Sequence, residues 1–235
     1  PCRPGDRDLT LRNLTHVEGM SLEALRAGVN WDFESYPDFL RAMERRGVVP
    51  NVASFAGHSS VRTYVLGADA TRRAATDTEI AEMRRLVVEA LRAGAIGFAT
   101  STAEQHNGEN GIPMPSRLAD DREMRALAGA LGEVGHGVFM ITKGMTTSVP
   151  WLEEIAAASG RPVMIAAMLV DPGDPTRVFR ELGEIEAARA RGRELWAQVG
   201  CFPLGMEFTL RHPYPLEAFL AWRPAIEAAA EADYR

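Results

Sequence analysis

Lysine is nearly absent from this 235-residue chain, cysteine occurs twice, and no apolar run lasts long enough to cross a bilayer. Arginine supplies almost all of the positive charge, a bias to which no functional weight attaches. A formal net charge of -6 and a pI near 5.5 argue against a nucleic-acid surface, because phosphate binding needs clustered Lys and Arg. Cys2 and Cys201 lie far apart, so neither a disulfide framework nor a CxxC zinc spacing is present, and free thiols in a reducing cytoplasm are expected. The apolar stretches are broken by charge well before the ~18 residues a spanning helix requires, so no membrane partner is expected. HxH and HExxH spacings are missing, as is the GxSxG of a serine nucleophile elbow. No GxGxxG follows any strand-like run, which weakens a dinucleotide-binding reading.

What is there is an ordinary globular composition, 46% hydrophobic and 25% charged, which excludes a disordered chain. Five short runs rich in Val, Ile and Phe recur at Val48 to Phe55, Ala95 to Thr100, Gly137 to Thr142, Pro162 to Leu169 and Glu194 to Gly200. Continuous hydrophobicity of this kind predicts strands of a parallel sheet buried on both faces. Helices with clear starts lie between them. Thr76 with Glu79 predicts a capping box closed by Gly94, and Asp120 with Glu123 predicts another closed by Gly135 and Gly137. Ser35 opens a helix over Tyr36 to Arg46, Gly160 ends one over Val149 to Ser159, and another runs from Asp174 toward Gly192. Strand then helix, repeated about five times, predicts an α/β fold, a partial TIM-type (β/α)8 barrel. A doubly wound sheet is the rival, since periodicity does not separate the two. The stretch Pro1 to Glu34 reads as irregular apart from a helix at Ser21 to Ala27.

The chain opens at Pro1 without an initiator methionine and stops just after a helix-like run, Ile226 to Ala232. It therefore reads as one incomplete barrel domain over 1–235, its remaining partner being the rest of a longer barrel chain. Barrel enzymes build their sites at the C-terminal ends of strands, so the long segments Ser101 to Leu118 and Cys201 to Leu216 are the first places to look for chemistry. His58 follows the first run beside Gly57, where an imidazole with a pKa near 6.5 could shuttle a proton or be held structurally by the turn. Arg62 is placed to pair with a substrate carboxylate or to be solvated. His106 sits in a Gly- and Asn-rich loop expected to be flexible, and His212 lies near the last run. His16 and His136 carry weaker claims. From chemistry alone the segment is a barrel-type enzyme piece with an unassigned reaction.

Three stretches together resemble one family. Asn51 to Gly67, NVASFAGHSSVRTYVLG, is similar to the Asn-Val-x-x-x-x-Gly-His-x-x-x-Arg segment of the N-acyl-D-amino-acid deacylases, the D-aminoacylase branch of the amidohydrolase superfamily. Glu89 to Ser101, EALRAGAIGFATS, resembles their helix-to-strand phrase ending Gly-Phe-Ser-Thr. The opening PCRPGDRD and the phrase WDFESYPDFLRAME resemble the region following the family's Asn-Cys-Gly motif. The resemblance implies an amidohydrolase-like barrel cleaving a non-peptide C–N amide bond of a small-molecule substrate, with zinc or another divalent metal in the parent protein. His58 is then the catalytic candidate, with Arg62, His106 and His212 as substrate-binding candidates. The family's metal-binding histidines at the third and fourth strand ends fall on Thr142 and Ala167, so the metal site is expected to be atypical. A shift of one residue brings Lys143 to the first position, where a carboxylated lysine serves as a ligand in the wider superfamily. Related amidohydrolases acting on a cyclic amide or ring amine, and a non-catalytic barrel-fold binding protein, are the alternatives.

Overall fold

The computed structural model describes residues 1–201 except 16, 18 and 172, together with 205, 216 and 220–226. Its centre is a five-stranded parallel sheet of β1 (Ala56–Gly57), β2 (Gly97–Ser101), β3 (Val138–Thr142), β4 (Val163–Ala166) and β5 (Leu195–Gln198), paired in that order. Each new strand adds to the same edge. In a doubly wound sheet the order reverses at a switch point; an unreversed succession of strands is the wall of a barrel.

Helices cross over between the strands: α4 (His58–Leu66) and α5 (Asp77–Ala93) after β1, α6 (Asp121–Val134) after β2, α7 (Val149–Ser159) after β3 and α8 (Arg177–Ala190) after β4. The expected caps of α5 form in full, with the Thr76 hydroxyl accepting from the Glu79 amide and the Glu79 carboxylate accepting from the Thr76 amide at 2.8 Å. Gly94 ends the helix in the left-handed region that glycine tolerates. Ile80, Met83, Val87, Ala90 and Leu91 recur at helical spacing on its buried side. Full burial of a side chain such as Val87 or Leu91 contributes about 1.5–3 kcal/mol relative to exposure.

Three expectations need correction. The run Val48 to Phe55 is not a strand: only Ala56–Gly57 pairs with β2, and Val49 is fully exposed. Pro50 and the position at the sheet edge leave that run one neighbour and few ladder bonds. The strands are also not buried on both faces. Burial alternates along β3 and β4, with Phe139, Ile141, Val163 and Ile165 sealed against the helices while Met140, Thr142, Met164 and Ala166 are half-open. The amino terminus is not irregular, for α1 (Arg7–Leu14) precedes the expected α2 (Leu22–Gly28) and α3 (Tyr36–Arg46). Its pattern is weakly amphipathic, and tertiary contacts hold it: Leu11 is buried and the Asn13 amide donates to Thr63 Oγ1 at 3.2 Å.

At Gly97 the backbones of β2 and β3 pass so closely that a Cβ would lie 2.1 Å from the Val138 carbonyl oxygen. Among the described residues no strand covers the far side of β5, and Trp196, Val199, Leu169, Val170 and Phe179 are exposed around it.

Candidate functional site

Successive residues of a strand point to opposite faces. Phe98 and Thr100 face the helices, because the His58 ring packs 5.1 Å from the Phe98 ring and His58 Nδ1 lies 2.8 Å from Thr100 Oγ1. Ala99 and Ser101 therefore face the inner side of the wall. Register carries that face across the sheet: Ser101 stands beside Thr142 at the C-terminal ends of β2 and β3, and Ala166 ends β4 beside Gln198 of β5. This row of strand ends is the mouth of the wall.

His58 does not open into that mouth. As the first residue of α4 it is fully buried on the helix side, where its Nε2 meets Glu123 Oε1 at 2.7 Å. Burial lowers its pKa from the ordinary imidazole value, more than the Glu123 carboxylate restores it. In its neutral form the ring donates through Nε2–H to Glu123, while Nδ1 faces the Thr100 hydroxyl, which also lies 3.8 Å from Met124 Sδ. Arg62, one turn further along α4, is also fully buried and not solvated. Its Nε donates to the same Glu123 oxygen at 2.9 Å, while the Nη groups donate to the carbonyls of Ala70, Pro115 (3.2 Å) and Arg73 (2.8 Å). With the guanidinium spent on carbonyls, Glu123 Oε2 is left without a partner among the described residues. Neither His58 nor Arg62 lines the mouth; they tie α4 to the segments at 70–73 and 115–118.

Glu123 is the residue sequence reasoning missed. Its amide donates to the expected cap, Asp120 Oδ1, at 2.9 Å, but its carboxylate does not complete a capping box and reaches inward to His58 and Arg62 instead. The two buried donors win over an exposed backbone amide, because burying either of them unpaired would cost several kcal/mol.

His106 does reach the inner side. Its Nδ1 lies 2.7 Å from Ser101 Oγ, and that oxygen accepts the Ala103 amide at 3.2 Å. The loop carrying it is pinned, contrary to the flexibility its composition suggests. Arg12 of α1 pairs with Glu109, Arg117 donates to Asn107 Oδ1 and the His106 carbonyl, and Ser116 Oγ donates to the Ser101 carbonyl at 3.0 Å. Gly108 sits so close to α1 that a Cβ there would meet the Arg12 carbonyl oxygen at 3.0 Å. Burial, aided by the Arg117 charge, lowers the His106 pKa. His212 and His16 lie outside the described residues.

The donor set at the strand ends does not fit a divalent metal. Thr142 offers a neutral hydroxyl, Ala167 offers nothing, and Lys143 turns away to donate to Glu181 Oε1 of α8 at 2.8 Å. Glu181 also accepts from Arg177 at 2.8 Å; its burial works to raise the carboxyl pKa, but these two cations outweigh it and hold it below the ordinary value. Lys143 Nζ is thereby committed to Glu181 rather than to the strand-end mouth. Among the described residues no group of three or more His, Cys, Asp or Glu side chains converges on one point.

No protein-family model matches the chain. It is 38% identical over 97 residues to the D-aminoacylase of Alcaligenes xylosoxydans xylosoxydans, covering 41% of this chain and 20% of that protein. It is 46% identical over 70 residues to the N-acyl-D-aspartate deacylase of the same organism, covering 30% of this chain and 14% of that one. A solved D-aminoacylase, studied for its binuclear metal centre with one-metal activation and second-metal attenuation, superposes with a TM-score of 0.56 at 27% identity over 69% of this chain and 33% of its own. The chain thus spans about a third or less of the length of the relatives it matches.

Proposed function

We propose, from the premise that this chain is a D-aminoacylase-like amidohydrolase by sequence and by fold, that the complete protein hydrolyses the amide bond of N-acyl-D-amino acids. The observation that carries this reading is the coincidence of the sequence likeness with an unreversed parallel wall whose C-terminal strand ends form one mouth. The substrate is a small molecule bound across that mouth. His58, Arg62 and Glu123 act behind it, fixing α4 and the loop after β2 so that water-accessible chemistry is confined to the inner face. A zinc or other divalent ion in the complete protein then sits in a site unlike a pair of strand-end histidines, since Thr142 and Ala167 occupy those positions. Free thiols at Cys2 and Cys201 support a reducing, cytoplasmic setting. No helix among the described residues is long and apolar enough to cross a membrane.

The test is hydrolysis of N-acetyl-D-amino acids by the complete protein, with the L series as control and metal content measured on the same native preparation. Turnover of the D series with at least about one equivalent of bound metal is expected. Less than about a tenth of an equivalent of zinc, manganese or iron would sink the metal-hydrolase reading.

A further inference from the structure

We propose that His106 presents its Nε2–H as a hydrogen-bond donor to an oxygen of the bound N-acyl amino acid, and that Ser101 is the positioning residue that sets the ring for this task. The inference rests on the deacylase reading above and adds to it a named substrate contact.

Ser101 sets the ring of His106. Its hydroxyl oxygen accepts the Ala103 amide at 3.2 Å and lies 2.7 Å from His106 Nδ1, and the residue is buried. A buried hydroxyl hydrogen without an acceptor is costly, and among the described residues the one acceptor at hand besides the distant carbonyls is Nδ1. Ser101 therefore donates to Nδ1, which assigns the proton of a neutral imidazole to Nε2. That N–H has no hydrogen-bond partner among the described residues and is not among their buried unsatisfied atoms. It is a fixed donor at the accessible end of a half-buried ring.

Position follows from the strand. Ser101 ends β2 on the inner face, level with Thr142, so the ring it holds stands at the mouth. Fixity follows from the loop, which is anchored at both flanks by Arg12 to Glu109 and by Arg62 to Pro115, and whose Arg117 binds the His106 carbonyl. A pre-set donor loses little conformational freedom on binding, so its hydrogen bond contributes nearly in full. The chemistry of the ligand is an acceptor oxygen. An N-acyl amino acid offers two, the carboxylate and the scissile carbonyl.

Steady-state kinetics of the complete protein on N-acetyl-D-amino acids separate these. Loss of one hydrogen bond to a charged or charge-developing oxygen predicts that His106→Phe lowers kcat/KM about ten- to a hundredfold, with the melting temperature unchanged. His106→Gln, whose amide N–H can donate, should recover part of the loss, and Ser101→Ala, which frees the tautomer, should fall between wild type and His106→Phe. A rise in KM alone assigns the contact to the carboxylate; a fall in kcat assigns it to the carbonyl. Values for His106→Phe and Ser101→Ala within about twofold of wild type, under the same constants, overturn the proposal while the deacylase reading stands. A wild-type protein that cleaves no N-acyl amino acid overturns the deacylase reading itself.

Discussion

Replacing Arg62 by alanine removes the one arginine or lysine that, among the described residues, touches Glu123, at a fully buried site. Breaking a buried ion pair from one side leaves an uncompensated charge and typically costs about 3–5 kcal/mol. Four carbonyls, those of Ala70, Arg73, Pro115 and Leu118, lose a donor in the same step. Each unsatisfied acceptor costs about 1–3 kcal/mol where no water enters. Water entering the vacated volume offsets part of this, so the expected loss lies at the top of the 3–5 kcal/mol range, a large share of a typical domain's 5–15 kcal/mol. The double variant Arg62→Met with Glu123→Leu removes the charge as well as its partner, and should cost less than Arg62→Ala alone. Urea denaturation of the complete protein, read by tryptophan fluorescence, measures both. A loss below about 1 kcal/mol for Arg62→Ala, or a double variant that costs the sum of its singles, would refute the reasoning.

Two further outcomes follow. Burial lowers the folded pKa of His58, so between the ordinary value of 6.5 and that lower one the unfolded chain binds the proton and the folded chain does not. Stability from this group is full above pH 6.5 and declines as the pH falls through that window, by at most about 1.4 kcal/mol per pH unit. His106 contributes in the same sense, and His58→Gln should flatten the slope between pH 5 and 7; an unaltered slope would count against a neutral buried His58. At Gly97, a methyl group would meet the Val138 backbone rather than a yielding side chain, so Gly97→Ala should cost at least about 1–3 kcal/mol by forcing β2 and β3 apart, seen as a lowered melting temperature.

The helices were legible because their signals are local. Ser35, Thr76 and Asp120 announce the starts that the structure shows, and Gly94, Gly135 and Gly160 the stops, since a cap is decided within four residues. Strand order was not legible, because hydrophobic runs carry no information on which edge receives the next strand. The run Val48 to Phe55 misled for the same reason: its valines fit a strand, but pairing depends on a neighbour far along the chain. Within the site, His58 and Arg62 stood out as chemistry-bearing types, yet their roles hang on Glu123, which lies 65 and 61 residues away and reads as a cap. Ser101 carried no signal, since only the alternation of a strand whose faces are known assigns it to the inner side.

The contact of Arg12 with Glu109 spans 97 residues, and Gly108 rests on the backbone of the same helix. During synthesis at about 5–20 residues per second, the segment that becomes α1, too short to hold a helix alone, is therefore made about 5–20 s before the loop that docks on it. The helix and the loop bearing His106 thus set each other, and neither has its final shape until β2 and the residues after it have been made.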